Sequence, residues 1–163
     1  MISPKDVSDA LEAFLNEKFP GEPVVRDLTP EDFARPCNSV ECVKFSAEGA
    51  GGGNIQVKML HAVRTFVPVD AYHQSSFDLL AWRAMRILGL CARGYLNVSD
   101  PDTHQRRAVK ITGGVCPETN PDSAEVQFTS TLFLSLEEID GAACPAPLME
   151  KVTISGTNFQ EVE

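Results

Sequence analysis

Apolar positions recur at helical spacing near the start of the chain: Val7, Leu11, Phe14 and Leu15 fall three and four residues apart, which places them on one helix face. Ser3 can cap this helix, Pro4 fits its first turn, and Asp6 stands three residues after the cap, where its charge suits the helix dipole. Pro20-Gly21 ends the segment. Pro23 to Leu28 then reads as a short strand, and Thr29 as the cap of one helical turn reaching Phe33. A second strand is expected from Asn38 to Phe45. Glu48 to Asn54, with four glycines in the five positions 49–53, is expected to form a mobile tip, because glycine is entropically costly to order.

The strongest strand signal follows. Ile55, Val57, Met59, Val63, Val67 and Val69 share one parity, and Gln56, Lys58 and Arg64 the other. A strand from Asn54 to Val67 exceeds ordinary length, so the hairpin it makes with its predecessor should project from the domain. Pro68 closes it. A second helix is expected from Ser75 to Cys91, with Phe77, Leu80, Ala81, Ala84, Ile87, Leu88 and Cys91 as its core stripe and Arg83 and Arg86 opposite. Leu79 and Trp82 widen its apolar arc, and Gly94 suits its C-cap. Further strands are expected at Tyr95–Val98, Arg106–Thr112 and Glu125–Leu136, with a turn at Pro117–Asp122. Past Leu136 come an acidic stretch and a short alternation at Val152 and Ile154, which reads as an edge strand or an arm. The expected class is α+β: a mostly antiparallel sheet with two helices on one face, order α-β-β-β-α-β-β-β, and a projecting hairpin. Residues 1–136 make one domain and 137–163 an acidic C-terminal extension.

Composition changes the picture in one respect. Of 163 residues, 43% are apolar and 23% charged, ordinary for a globular chain, but 14 Lys and Arg against 23 Asp and Glu leave a net charge of −9. That balance argues against a protein built to grip nucleic acid, which needs clustered cations. The charge is also segregated. Arg83, Arg86, Arg93, Arg106, Arg107 and Lys110 lie in a stretch whose acids are Asp100 and Asp102, whereas beyond residue 113 Lys151 is the one cation among nine acids. Segregated charge suits self-association in which the basic side of one copy meets the acidic side of another. No apolar run is long enough for a membrane span or a secretory signal. The five scattered cysteines point to reduced thiols in a cytosolic setting rather than a disulfide framework.

Candidate chemistry is sparse. His61 sits mid-strand on the apolar parity, the placement of a core histidine, and His73 and His104 fall in expected loops. Cys37 and Cys42 are five apart on a strand and face opposite sides, unlike a zinc pair. The glycine run joins two strands and is followed by neither Gly-Lys-Ser/Thr nor a helix, so it makes no phosphate cradle. Arg106 and Arg107 point to opposite faces of their strand, which weakens a phosphate clamp. No catalytic residue, metal site or cofactor site is expected.

Several phrases carry a family resemblance across residues 4–136: Phe33-Ala34-Arg35-Pro36-Cys37 opening a strand, Arg64-Thr65-Phe66-Val67-Pro68-Val69 closing a long one, an amphipathic helix ending near Leu90, and Glu125-Val126-Gln127-Phe128 leading into the last strand. In this order they resemble the phage tail terminator (tail completion) family, with Asn38-Ser39 standing where that family usually has apolar residues. The resemblance implies a structural, non-enzymatic protein of the virion tail, assembled in the host cytoplasm. It would form a hexameric ring that caps the tail tube, stops tube polymerisation and docks the head-tail connector, with DNA passing through the bore without specific binding. A head-closure or neck protein is the neighbouring reading, and a small cytosolic ligand-binding or enzymatic domain a more distant one. The residues expected at subunit or partner contacts are Arg83, Arg86, Arg106 and Arg107 from the basic stretch, Gly51, Gly52 and Gly53 at the hairpin tip, and Trp82 as an apolar anchor.

Overall fold

The computed structural model describes residues 1–26, 34–68, 77–117 and 119–142. The turn expected at Thr29–Phe33, together with Val69, His73, Cys144 and the alternation at Val152 and Ile154, lies outside those residues. The elements are α1 (Pro4–Lys18), β1 (Val24–Arg26), β2 (Cys37–Gly51), β3 (Asn54–Phe66), α2 (Phe77–Arg93), β4 (Tyr95–Ser99), β5 (Arg106–Val115), β6 (Thr119–Asn120), β7 (Ser123–Ser135) and α3 (Leu136–Gly141). The α+β class is as expected, with short β6 and α3 in addition.

The sheet runs β1-β2-β3-β7-β5-β4, with β6 paired to β7. Among the described residues β1–β2 is the one parallel pairing and the others are antiparallel. Its register follows the parity read from the third strand. Val57, Met59, His61 and Val63 on β3 stand beside Leu132, Ser130, Phe128 and Val126 on β7, and all eight are buried. Val7, Leu11, Phe14 and Leu15 of α1 and Leu80, Ala84, Ile87 and Leu90 of α2 join the same core, so both helices cover one sheet face. On the other face, Arg64 ties three strands by pairing with Glu125 on β7 and, at 2.9 Å, with Glu41 on β2.

The caps explain where the helices start. At α1, Ser3 Oγ accepts from the Asp6 amide while the Asp6 carboxylate accepts from the Ser3 amide, a reciprocal capping box. Gly94, at φ +82°, ends α2 with its amide donating to the Leu90 carbonyl at 3.1 Å.

Three expectations need correcting. First, the glycine segment is no seven-residue tip. β2 continues to Gly51, and Gly52-Gly53 alone make the turn, flanked by the Gly51–Asn54 pair. Both central glycines have positive φ (+60° and +75°), which a type I′ hairpin turn requires and side chains resist. Second, the hairpin does not stand alone, because β7 accompanies β3 along its whole length, from Phe66–Ser123 to Asn54–Ser135. Among the described residues no strand pairs with the far edge of β2 beyond Val40, where β1 stops.

Third, α2 is rotated from its expected setting. Phe77 is exposed, Leu90 is buried, and Arg83, expected on the solvent side, is only 4% exposed. At 100° per residue the observed core arc is centred roughly 60° from the expected one.

Candidate self-association surface

Turning α2 this way decides which side chains it presents outward. Arg83 faces the sheet, where a set of polar partners receives it. Its Nη1 donates to Glu22 Oε1 at 2.9 Å and its Nη2 to Glu22 Oε2, a bidentate pair. Nε donates to Thr65 Oγ1 at 2.6 Å, and Nη2 also reaches Asn38 Oδ1 at 3.2 Å. The guanidinium lies over the Phe19 ring, 4.3 Å from its centroid. Asn38 in turn donates to Glu22 at 3.2 Å. The buried polar residue at position 38 is thus part of a network that staples α2 to β2, β3 and the segment after α1.

The outward face of α2 is apolar for its position. Trp82 is 45% exposed, Met85 61% and Leu79 40%, and the spacings 79–82 and 82–85 put them on one stripe. Arg86 stacks on Trp82 with its Cζ 4.6 Å from the ring centroid and donates to the Lys18 carbonyl at 3.3 Å. Phe19 meets the same indole edge-on at 6.4 Å. The stripe is therefore braced from one flank and open to solvent above. Gly89, one turn past Met85, leaves a gap in which an added Cβ would meet nothing within 4 Å.

The other expected contact residues do not gather with Trp82 and Arg86. Arg107 donates to the Glu138 carboxylate and, at 3.0 Å, to the Phe133 carbonyl, so one charge of the basic stretch is engaged by the acidic segment of its own chain. Glu138 is held below the usual carboxylate range by the Ser135 backbone amide and by Arg107. Ser135 and Glu138 form a second capping box, which starts α3. The pattern Ser135-x-x-Glu138 is legible in the sequence and marks this helix. Arg106 is exposed and, with Arg93, lines an open groove of about 500 Å³ between α1 and β4 whose lining also holds Asp6, Asp9 and Glu17. Gly51, Gly52 and Gly53 sit at the end of the sheet beside α3, where the Leu136 amide donates to the Gly53 carbonyl at 2.9 Å.

The remaining titratable groups read as structural. His61 is fully buried, its Nε2 2.8 Å from Ser130 Oγ and its ring 5.5 Å from Phe128. Burial pushes its pKa down to about 4, which keeps it neutral. Burial also raises the thiols of Cys37, Cys91 and Cys116, away from nucleophile chemistry. Among the described residues no group of three His, Cys, Asp or Glu is placed to hold a metal, and no helix is long and apolar enough to cross a membrane.

No protein-family profile and no curated protein matches the chain. One solved structure whose name carries no functional information aligns at 18% identity, covering 82% of this chain and 95% of that one, with a TM-score of 0.45.

Proposed function

We propose that this chain is a structural assembly protein that works through copies of itself, and that it acts as a phage tail terminator: a ring that caps the tail tube, stops its growth and receives the head connector. One observation carries the self-association reading. The chain's sole tryptophan lies nearly half exposed on an apolar helix stripe that its own core does not use, and apolar clusters of this kind on a soluble surface mark association sites. The sequence resemblance supplies the phage context. A net charge of −9 suits a bore through which DNA slides, since like charge repels phosphate.

The test is to add purified chain to polymerising tail tubes and image them by electron microscopy. Tubes of arrested length bearing a ring at one end are expected. Unchecked tube growth, with the chain binding only DNA-filled heads, would instead assign it to head closure.

A further inference from the structure

We infer that copies of this chain meet head to tail, the outer face of α2 on one copy seating on the outer face of α3 on the next. This rests on the self-association reading above and names the two surfaces that meet.

The α2 surface is Leu79, Trp82 and Met85 with Arg86 beside the indole and Arg93 at the helix end, all exposed. At 100° per residue these five fall within one side of the helix, with the exposed Asp78 on the same side at its start and Arg93 donating to the Tyr95 carbonyl at 3.0 Å. The α3 surface is its counterpart. Ile139 packs toward the core and Glu138 turns to Arg107, so Leu136, Glu137 and Asp140 are left on the outward side, with Leu136 49% exposed. Each patch joins an apolar centre to a charged rim, two cations against the single acid Asp78 on α2 and two acids on α3. The gap at Gly89 gives the Leu136 side chain a place beside Trp82 and Met85.

Charge also selects how the copies meet. Joining α2 to α2 in antiparallel fashion would bring Arg86, near mid-helix, against its own equivalent, and joining α3 to α3 would oppose Glu137 and Asp140; like charges at a contact are penalised. Unlike patches from different parts of the molecule make a heterologous contact. Such a contact closes as a two-fold dimer only if both pairs form at one interface, and otherwise it propagates to a ring or a filament.

Trp82 is its own reporter, being the single tryptophan. Sedimentation and Trp82 emission are followed across protein concentration for the full chain, for R86E/R93E, for E137K/D140K and for an equimolar mixture of the two variants. All four positions are exposed, and circular dichroism checks that the variants fold. The expected result is association with a blue shift of Trp82, at least tenfold weaker self-association in each variant, and recovery in the mixture. Recovery follows because an acidic α2 face then meets a basic α3 face at one contact and the reverse at the next. If the wild-type chain associates but the reversals leave it unchanged, this contact is overturned while self-association stands. A chain that remains monomeric at every concentration, alone and with tail tubes, overturns both. Emission that shifts with tubes but not with concentration assigns the α2 face to the tube and overturns the inference.

Discussion

Replacing Arg83 by methionine keeps an unbranched stem in the core but removes the charge, and the network predicts what that costs. Glu22 loses a bidentate cation, and Thr65 and Asn38 lose a donor at 2.6 and 3.2 Å. Taking one partner from a buried ion pair costs about 3–5 kcal/mol, because the other charge is left without compensation. Glu22 retains 17% of its side-chain exposure, so water recovers part of that loss and the low end, about 3 kcal/mol, is expected. With a urea dependence of about 2 kcal/mol per molar for a domain of this size, the unfolding midpoint should fall by about 1.5 M. Replacing both partners, as R83M/E22Q, should restore most of the loss, since exchanging an entire buried pair for neutral groups is far milder than halving it. Urea titrations of the wild type, both single variants and the double variant form the cycle. Single-variant losses under about 0.5 kcal/mol, or losses that simply add in the double variant, would refute the account of Arg83 as a staple.

Two further outcomes follow from buried positions. His61 has a folded pKa of about 4 against an ordinary 6.5, so the unfolded chain binds its proton first as pH falls; stability should drop between pH 6.5 and 4, by up to about 3 kcal/mol. H61Q should flatten that window in pH-dependent denaturation, and parallel curves for the two proteins would count against it. A Cβ added at Gly114 would stand 2.4 Å from Cys91 Cβ and 2.6 Å from its Sγ, so G114A should cost roughly 2 kcal/mol by overpacking and lower Tm by about 6 °C; an unchanged melting curve would show that α2 and β5 separate freely.

What the sequence made legible was local. Strand parity placed Met59, His61 and Val63 on the core face, Ser3 and Gly94 marked helix ends, and Cys37 and Cys42 fall on opposite faces, beside Phe66 and His61. Arg83 was not legible, because charge argues for solvent unless the partners are known. Its partners Glu22, Asn38 and Thr65 come from three other parts of the chain, and nothing in the helix pattern alone reveals them. Gly113 and Gly114 escaped for a similar reason. They carry β5 through an irregularity between Thr112 and Val115, and Gly114 lets α2 approach, a demand that exists only once helix and strand are packed.

The basic stretch therefore divides by tertiary role rather than by sequence position. Arg83 is absorbed by Glu22 and Arg107 by Glu138, so two of its six cations hold the fold together and offer little to a partner. The Arg107–Glu138 pair, with the Ser135 cap, fixes how α3 sits at the end of β7, and the Arg83 network fixes how α2 turns on the sheet. Internal neutralisation of these two arginines is what sets the orientation of the surfaces that stay free. Arg86 then lies beside Trp82 with Arg93 at the end of the same helix, and Glu137 and Asp140 beside Leu136 on another. Charge reversal at Arg107 consequently disturbs the seating of α3 as well as any contact between copies, whereas reversal at Arg86 and Arg93 gives up only surface contacts, to the Lys18 and Tyr95 carbonyls and the Trp82 and Tyr95 rings, and leaves both networks intact.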